Sequence, residues 1–79
     1  MFTREKAAVF IVRSLGYGEV ADLPGIYASP FVDVTENIGA ISILYAMHIM
    51  NGDGMGCFYP YEEMTRAQAL TLIYNYLAN

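Results

Sequence analysis

"MTRAQALTLIYNYL", Met64 to Leu77, decides how this chain is read. Apolar residues at 69, 70, 73 and 77 recur with helical period behind a threonine, so the stretch predicts a helix over 65–78 capped by Thr65. Gln68, three residues on, is placed to return a bond to the Thr65 amide, closing a capping box, with Met64 set to staple against Ala69. The first helical position holds Arg66. The positive end of the helix dipole lies there, so a cation costs roughly a few tenths of a kcal/mol where an acid would help.

The same phrase opens the chain as "FTREKAA", Phe2 to Ala8. Sliding Thr3 onto Thr65 also pairs Arg4 with Arg66, Ala7 with Ala69, Ile11 with Ile73 and Leu15 with Leu77. A leading helix over 3–15 follows, capped by Thr3. Lys6 cannot close the box, Glu5 supplies the favourable first-turn charge, and Gly16 stands where a helix stops. Two copies of one helix thus flank a single middle section.

That middle section has three parts. Tyr17 to Phe31 holds two prolines and two glycines and reads as an irregular connection. An apolar helix is expected over 38–50, with Thr35 or Asn37 as its cap. "NGDGMGCFYPYEE", Asn51 to Glu63, is a glycine-rich loop in which "CFY" has the composition of a short strand. The fold class is mainly α, a small helical bundle with long loops.

Composition narrows the function. A net charge of −4 argues against a nucleic-acid or anionic-membrane partner held by charge alone. The first residues carry acid and base where a leader's apolar core should follow, so any export signal is expected in a longer parent chain. The apolar run Ile38 to Met50 falls short of the roughly 20 residues that span a bilayer. Cys57 is alone, which excludes an internal disulfide and reads as a small packed side chain. An apolar share of 56% against 15% charged residues implies surface meant to be covered by neighbouring chain.

"FVDV" (31–34), "HIMNGDG" (48–54) and "FYPYEEMTRAQALTLIYNYL" (58–77), in that order and spacing, resemble the S-layer homology family of bacterial cell-surface proteins. The resemblance divides the chain into the closing helix of a preceding repeat (1–16), a linker loop (17–30) and one complete repeat (31–79). Three departures stand out: there is no tryptophan near Asn37 and Ile38, His48 replaces a glycine, and Gln68 replaces a glutamate. The resemblance implies a non-catalytic, extracellular wall anchor that binds pyruvylated secondary cell wall polysaccharide in grooves between repeats. It also implies that the arginine of the Thr-Arg-Ala motif, Arg66 and by equivalence Arg4, meets the ketal carboxylate. An arginine beside unpaired helix amides and a dipole does suit an anion, with Thr65 shaping the turn.

The remaining candidates divide between binding and structure. Asn51 and Asp53 are expected to meet sugar hydroxyls while Gly52 and Gly54 let main-chain amides approach a ligand; the competing reading is a turn built by glycines. The loop also has a poor likeness to a calcium site: Asp53, Gly56 and Glu62 fall on the third, sixth and twelfth positions, but Asn51, Met55 and Pro60 spoil it. No metal ligand or cofactor is therefore assigned. Asp33 is read as tying down a loop through main-chain amides, and Phe31, Phe58 and Tyr59 as packing. His48 and Cys57 lack an orienting third group, so no enzyme is expected. Two alternatives to the wall anchor are an assembly module without glycan binding and a calcium-dependent docking domain. Covering the apolar surplus calls for sibling repeats or a homo-oligomer, a trimer being the form that imitates the family's pseudo-threefold bundle.

Overall fold

The computed structural model describes residues 1–78. Four helices follow one another: α1 (Arg4–Ser14), α2 (Gly18–Ala21), α3 (Ile38–Ala46) and α4 (Arg66–Ala78). No strand forms among the described residues, "CFY" included; Thr3 and Glu63 make an isolated antiparallel bridge. The helical class and the two threonine starts stand as expected.

α1 is the centre of the bundle and packs against each of the other three helices. Thr3 Oγ1 accepts from the Lys6 amide at 3.2 Å, and Ala7, Ala8, Ile11 and Val12 turn into the core. There they join Ile41 and Leu44 of α3, and the fully buried Phe58 ring from the loop before α4. Burying a side chain of that size stabilises by about 1.5–3 kcal/mol. The helix ends at Gly16, whose φ of 87° is open to glycine. The Gly16 amide donates to Arg13 O at 3.1 Å and the Tyr17 amide to Val12 O at 2.9 Å, the paired bonds of a Schellman stop.

Two corrections fall in the middle section. The connection after α1 contains the single turn α2, because Glu19, Val20 and Ala21 form an uninterrupted helical stretch between Gly18 and Pro24. α2 lies so close on α3 that a Cβ at Gly39 would collide with the Ala21 carbonyl and the Tyr27 ring. α3 ends at Ala46 rather than near Met50. His48 takes a left-handed conformation, φ 60°, and its amide donates to Tyr45 O at 3.1 Å while the Ile49 amide donates to Leu44 O at 2.9 Å. This is the same stop as at Gly16, made without a glycine. At the other end of α3 the cap position is Asn37, also left-handed at φ 54°, with no side-chain cap bond. Its Nδ2 instead donates to Glu5 Oε1 at 3.0 Å.

α4 repeats the Thr-Arg start and apolar spacing of α1 but not its burial. Among the helices it packs only against α1, and Ala69 is its one buried residue among those described. Leu70, Tyr74 and Leu77 are 55%, 67% and 67% exposed, whereas Ala8 and Val12 at the first two matching positions of α1 are 0% and 1% exposed.

Candidate functional site

The Thr3–Glu63 bridge sets the two helix starts side by side, with the Met64 amide donating to Phe2 O at 3.0 Å. At the start of α1 the Arg4 amide donates to Glu62 O and the Glu5 amide to Pro60 O, each at 2.9 Å. The loop before α4 therefore takes up amides that a helix leaves unpaired. The Arg4 side chain is fixed too. Its Nε donates to Phe58 O at 2.9 Å and its Nη2 to Asn51 O at 2.8 Å, and the guanidinium lies 4.6 Å from the Phe58 ring centroid. A guanidinium has five N–H donors, so three remain beyond these two bonds. Both partners are main-chain carbonyls, so the cation is oriented but not neutralised.

Arg4 lines a groove of about 450 Å³ between the chain following α3 and the first half of α4. Its lining is apolar at Ile49, Met50, Met64 and Leu72 and polar at Asn51, Gln68 and Thr71. Eight acids are spread along the chain, yet among the described residues no carboxylate lines this groove. The arrangement pairs a fixed positive charge with polar partners for an orienting ligand.

The start of α4 is built differently. Gln68 Oε1 accepts from the Thr65 amide at 2.8 Å and Thr65 Oγ1 from the Gln68 amide at 3.0 Å, the capping box read from the sequence. Among the described residues the Arg66 and Ala67 amides have no partner. Arg66 is exposed, its guanidinium 4.9 Å from the Phe2 ring centroid.

The glycine loop is held by its own acids. Asp53 Oδ1 accepts from the Met55 amide at 2.7 Å and the Cys57 amide at 3.2 Å, and Oδ2 accepts from the Tyr59 hydroxyl at 2.8 Å. Asp33 accepts from the Phe58 and Tyr59 amides, both at 2.9 Å, which is the loop-tying role expected of it. These bonds hold both carboxyls below their ordinary range, led by the Phe58 amide at Asp33 and the Met55 amide at Asp53. The bond to Asp53 raises the Tyr59 hydroxyl, and burial, aided by the two nearby acids, raises the Cys57 thiol. A Cβ at Gly52 would strike the Phe31 ring and the Cys57 carbonyl, so this glycine serves close packing. Gly52 and Gly54 also line a smaller cavity of about 310 Å³ that meets the main groove at Asn51. Among the described residues no group of three His, Cys, Asp or Glu side chains stands close enough to hold a metal ion, and no helix is long and apolar enough to cross a membrane.

Arg4 and Asn51 thus share one groove, while Arg66 stands at the neighbouring open helix start. The sequence pattern did not single out Thr71 and Leu72 as groove-lining residues, and it marked Gln68 only as a cap. Their spacing on one face of α4 was the available signal.

The S-layer homology domain profile matches residues 30–70. The chain belongs to the S-layer homology family. That family comprises cell-wall anchoring modules. The matched span takes in the loop tied by Asp33 and Asp53 and the Thr65 capping box. The chain is also 35% identical over 74 residues to a cell surface protein of Thermoanaerobacter kivui, an alignment covering 90% of this chain and 10% of that protein. This S-layer homology chain therefore spans about a tenth of the relative's length. No solved structure matches. Family and relative together point to the cell surface.

Proposed function

We propose that this S-layer homology chain is a non-catalytic, extracellular anchor that holds its parent protein to the bacterial cell wall through an anionic, pyruvylated secondary cell wall polysaccharide. The observation that carries the reading is Arg4: a cation fixed by two carbonyls, opening on a groove that no carboxylate among the described residues lines, in a chain of net charge −4. A ketal carboxylate is the ligand chemistry that complements it. Asn51 and Gln68 stand beside Arg4 as hydroxyl partners. Gly52, Asp53 and Gly54 shape the loop that carries Asn51, and Thr65 shapes the turn that carries Arg66. Arg66 with its open amides forms a second anion position.

The proposed organisation keeps residues 1–16 as the closing helix of one repeat, 17–30 as linker and 31–79 as the next repeat. Leu70, Tyr74 and Leu77 on the outer face of α4 favour a partner there, supplied by sibling repeats or by copies of this chain in a homo-oligomer such as a trimer. Assembly and glycan binding are then linked, because a neighbour completes the surroundings of Arg66.

Purified wall polysaccharide, titrated before and after removal of its ketals, tests the reading. Binding is expected only with the ketals present, weakened by Arg66→Ala without unfolding, with light scattering on the same sample reporting assembly. Equal binding of ketal-free glycan overturns the anionic site, and a monomer at all micromolar concentrations overturns the assembly step.

A further inference from the structure

Of the four asparagines in the chain, only Asn51 precedes a glycine. An asparagine in that setting is open to attack by the main-chain nitrogen that follows it, because glycine has no side chain to crowd that nitrogen. The folded surroundings keep both partners available. Asn51 is exposed, and among the described residues neither its side-chain amide nor the Gly52 N–H has a hydrogen-bond partner. The next amides are engaged: that of Asp53 donates to Cys57 O at 3.0 Å, and those of Met55 and Cys57 donate to Asp53 Oδ1. No bulkier residue can shield the site. A Cβ at Gly52 would strike the Phe31 ring and the Cys57 carbonyl, so packing requires the residue that makes Asn51 labile.

We propose that Asn51 is a self-modification site, whose conversion to isoaspartate sets a carboxylate against Arg4 and neutralises that cation. In the first step the Gly52 nitrogen gives up its proton to hydroxide and bonds to Asn51 Cγ. The Cγ–Nδ2 bond breaks, ammonia leaves with a proton from solvent, and a five-membered succinimide remains. Water then adds to one of the two ring carbonyls, and the ring C–N bond at that carbon breaks. Opening at the side-chain carbonyl gives aspartate. Opening at the main-chain carbonyl gives isoaspartate, in which the chain runs through Cβ and Cγ and the old main-chain carbonyl is a free carboxylate. The net change is a water gained, an ammonia lost and a negative charge added. Arg4 decides between the two openings. Its Nη2 already donates to Asn51 O at 2.8 Å, the oxygen of the carbonyl whose opening gives isoaspartate. That bond stabilises the oxyanion formed as water adds there. In the product the same oxygen belongs to a carboxylate, so the bond that orients the cation becomes an ion pair. Asp53 before Gly54 is the built-in contrast. Its carboxylate accepts from the Met55 and Cys57 amides and the Tyr59 hydroxyl, which pins it away from the following nitrogen. The chain thus loses a free positive charge with age, whatever anion that charge serves, so the inference does not rest on the glycan reading.

The test holds the whole 79-residue chain in mildly alkaline buffer for days, then digests it and maps the products. The fragment carrying Asn51 is expected to gain about 1 Da and to become a substrate for isoaspartyl methylation. Asn37, bonded through Nδ2 to Glu5, and Asn75, followed by Tyr76 within α4, should stay unchanged. Asn51→Gln, whose longer side chain disfavours the five-membered ring, should stop the change while keeping the carbonyl that Arg4 holds. The ratio of isoaspartate to aspartate should exceed, by about threefold or more, that of a free peptide spanning residues 48–54. Phenylglyoxal, which modifies free guanidinium groups, should react severalfold more slowly with Arg4 in the converted chain and equally with Arg66. No gain in mass at Asn51, under conditions that convert the free peptide, overturns the site. A ratio equal to the peptide's overturns the directing role of Arg4, and undiminished reactivity of Arg4 overturns the ion pair.

Discussion

The starts of α1 and α4 carry the same Thr-Arg phrase and lie against each other across the Thr3–Glu63 bridge, yet they are used in different ways. At α1 the Arg4 and Glu5 amides are bonded to the loop at residues 60–62, and the arginine is locked on Phe58 and Asn51. At α4 the capping box serves the Thr65 and Gln68 amides, and the Arg66 guanidinium lies over the Phe2 ring. A helix start is therefore docked or left open according to what reaches it. The glycine loop and the segment after it follow α3 and reach α1; among the described residues nothing equivalent reaches α4. The arginine that costs the isolated helix a little becomes a structural cation in one case and an open one in the other.

The largest contrast should appear in stability. Arg4→Ala removes two charge-assisted bonds to carbonyls and a ring contact, and is expected to lose about 2–3 kcal/mol in urea unfolding. Arg66→Ala should stay within about 0.5 kcal/mol. Equal losses would break the comparison.

Acid sharpens it next, because the loop that docks α1 is tied by Asp33 and Asp53. Both have folded-state pKa values below their ordinary one of 3.8. A depressed carboxyl contributes stability that is present above the unfolded value and lost as pH falls through the folded one. Melting temperature should therefore hold near neutral pH and fall as pH drops through and below 3.8. Asp33→Asn is expected to lower the neutral-pH value and flatten that fall. An unchanged acid limb in Asp33→Asn would show that the loop is tied by something else.

The smallest effect lies at the opposite ends of the helices. α1 stops at a glycine and α3 at His48, with the same pair of hydrogen bonds. His48→Gly relieves the left-handed backbone and should gain about 0.5–1 kcal/mol in the same urea assay. A loss would mean that the imidazole packs in a way that outweighs the strain.

Much of this was legible in residues close together on the chain. The Thr65–Gln68 box, the Thr3 cap and the Gly16 stop are contacts within one turn, so their spacing was sufficient. Errors came where local preference was overridden. α3 was expected to run on to Met50, since nothing about a histidine announces a left-handed residue. The turn α2 was hidden by the glycines and prolines around it. Its place depends on Gly39 leaving room for the Ala21 carbonyl.

The sequence by itself determined the helical class, the helix starts and the duplicated phrase, because capping and apolar period act over three or four residues. Only the tertiary structure decided which arginine is locked and which is open. That choice depends on Asn51 and Phe58, whose carbonyls reach Arg4 from far along the chain. The groove is of the same kind: α1, the turn after α3, and α4 each supply part of its wall, and a cavity exists only where separate segments meet.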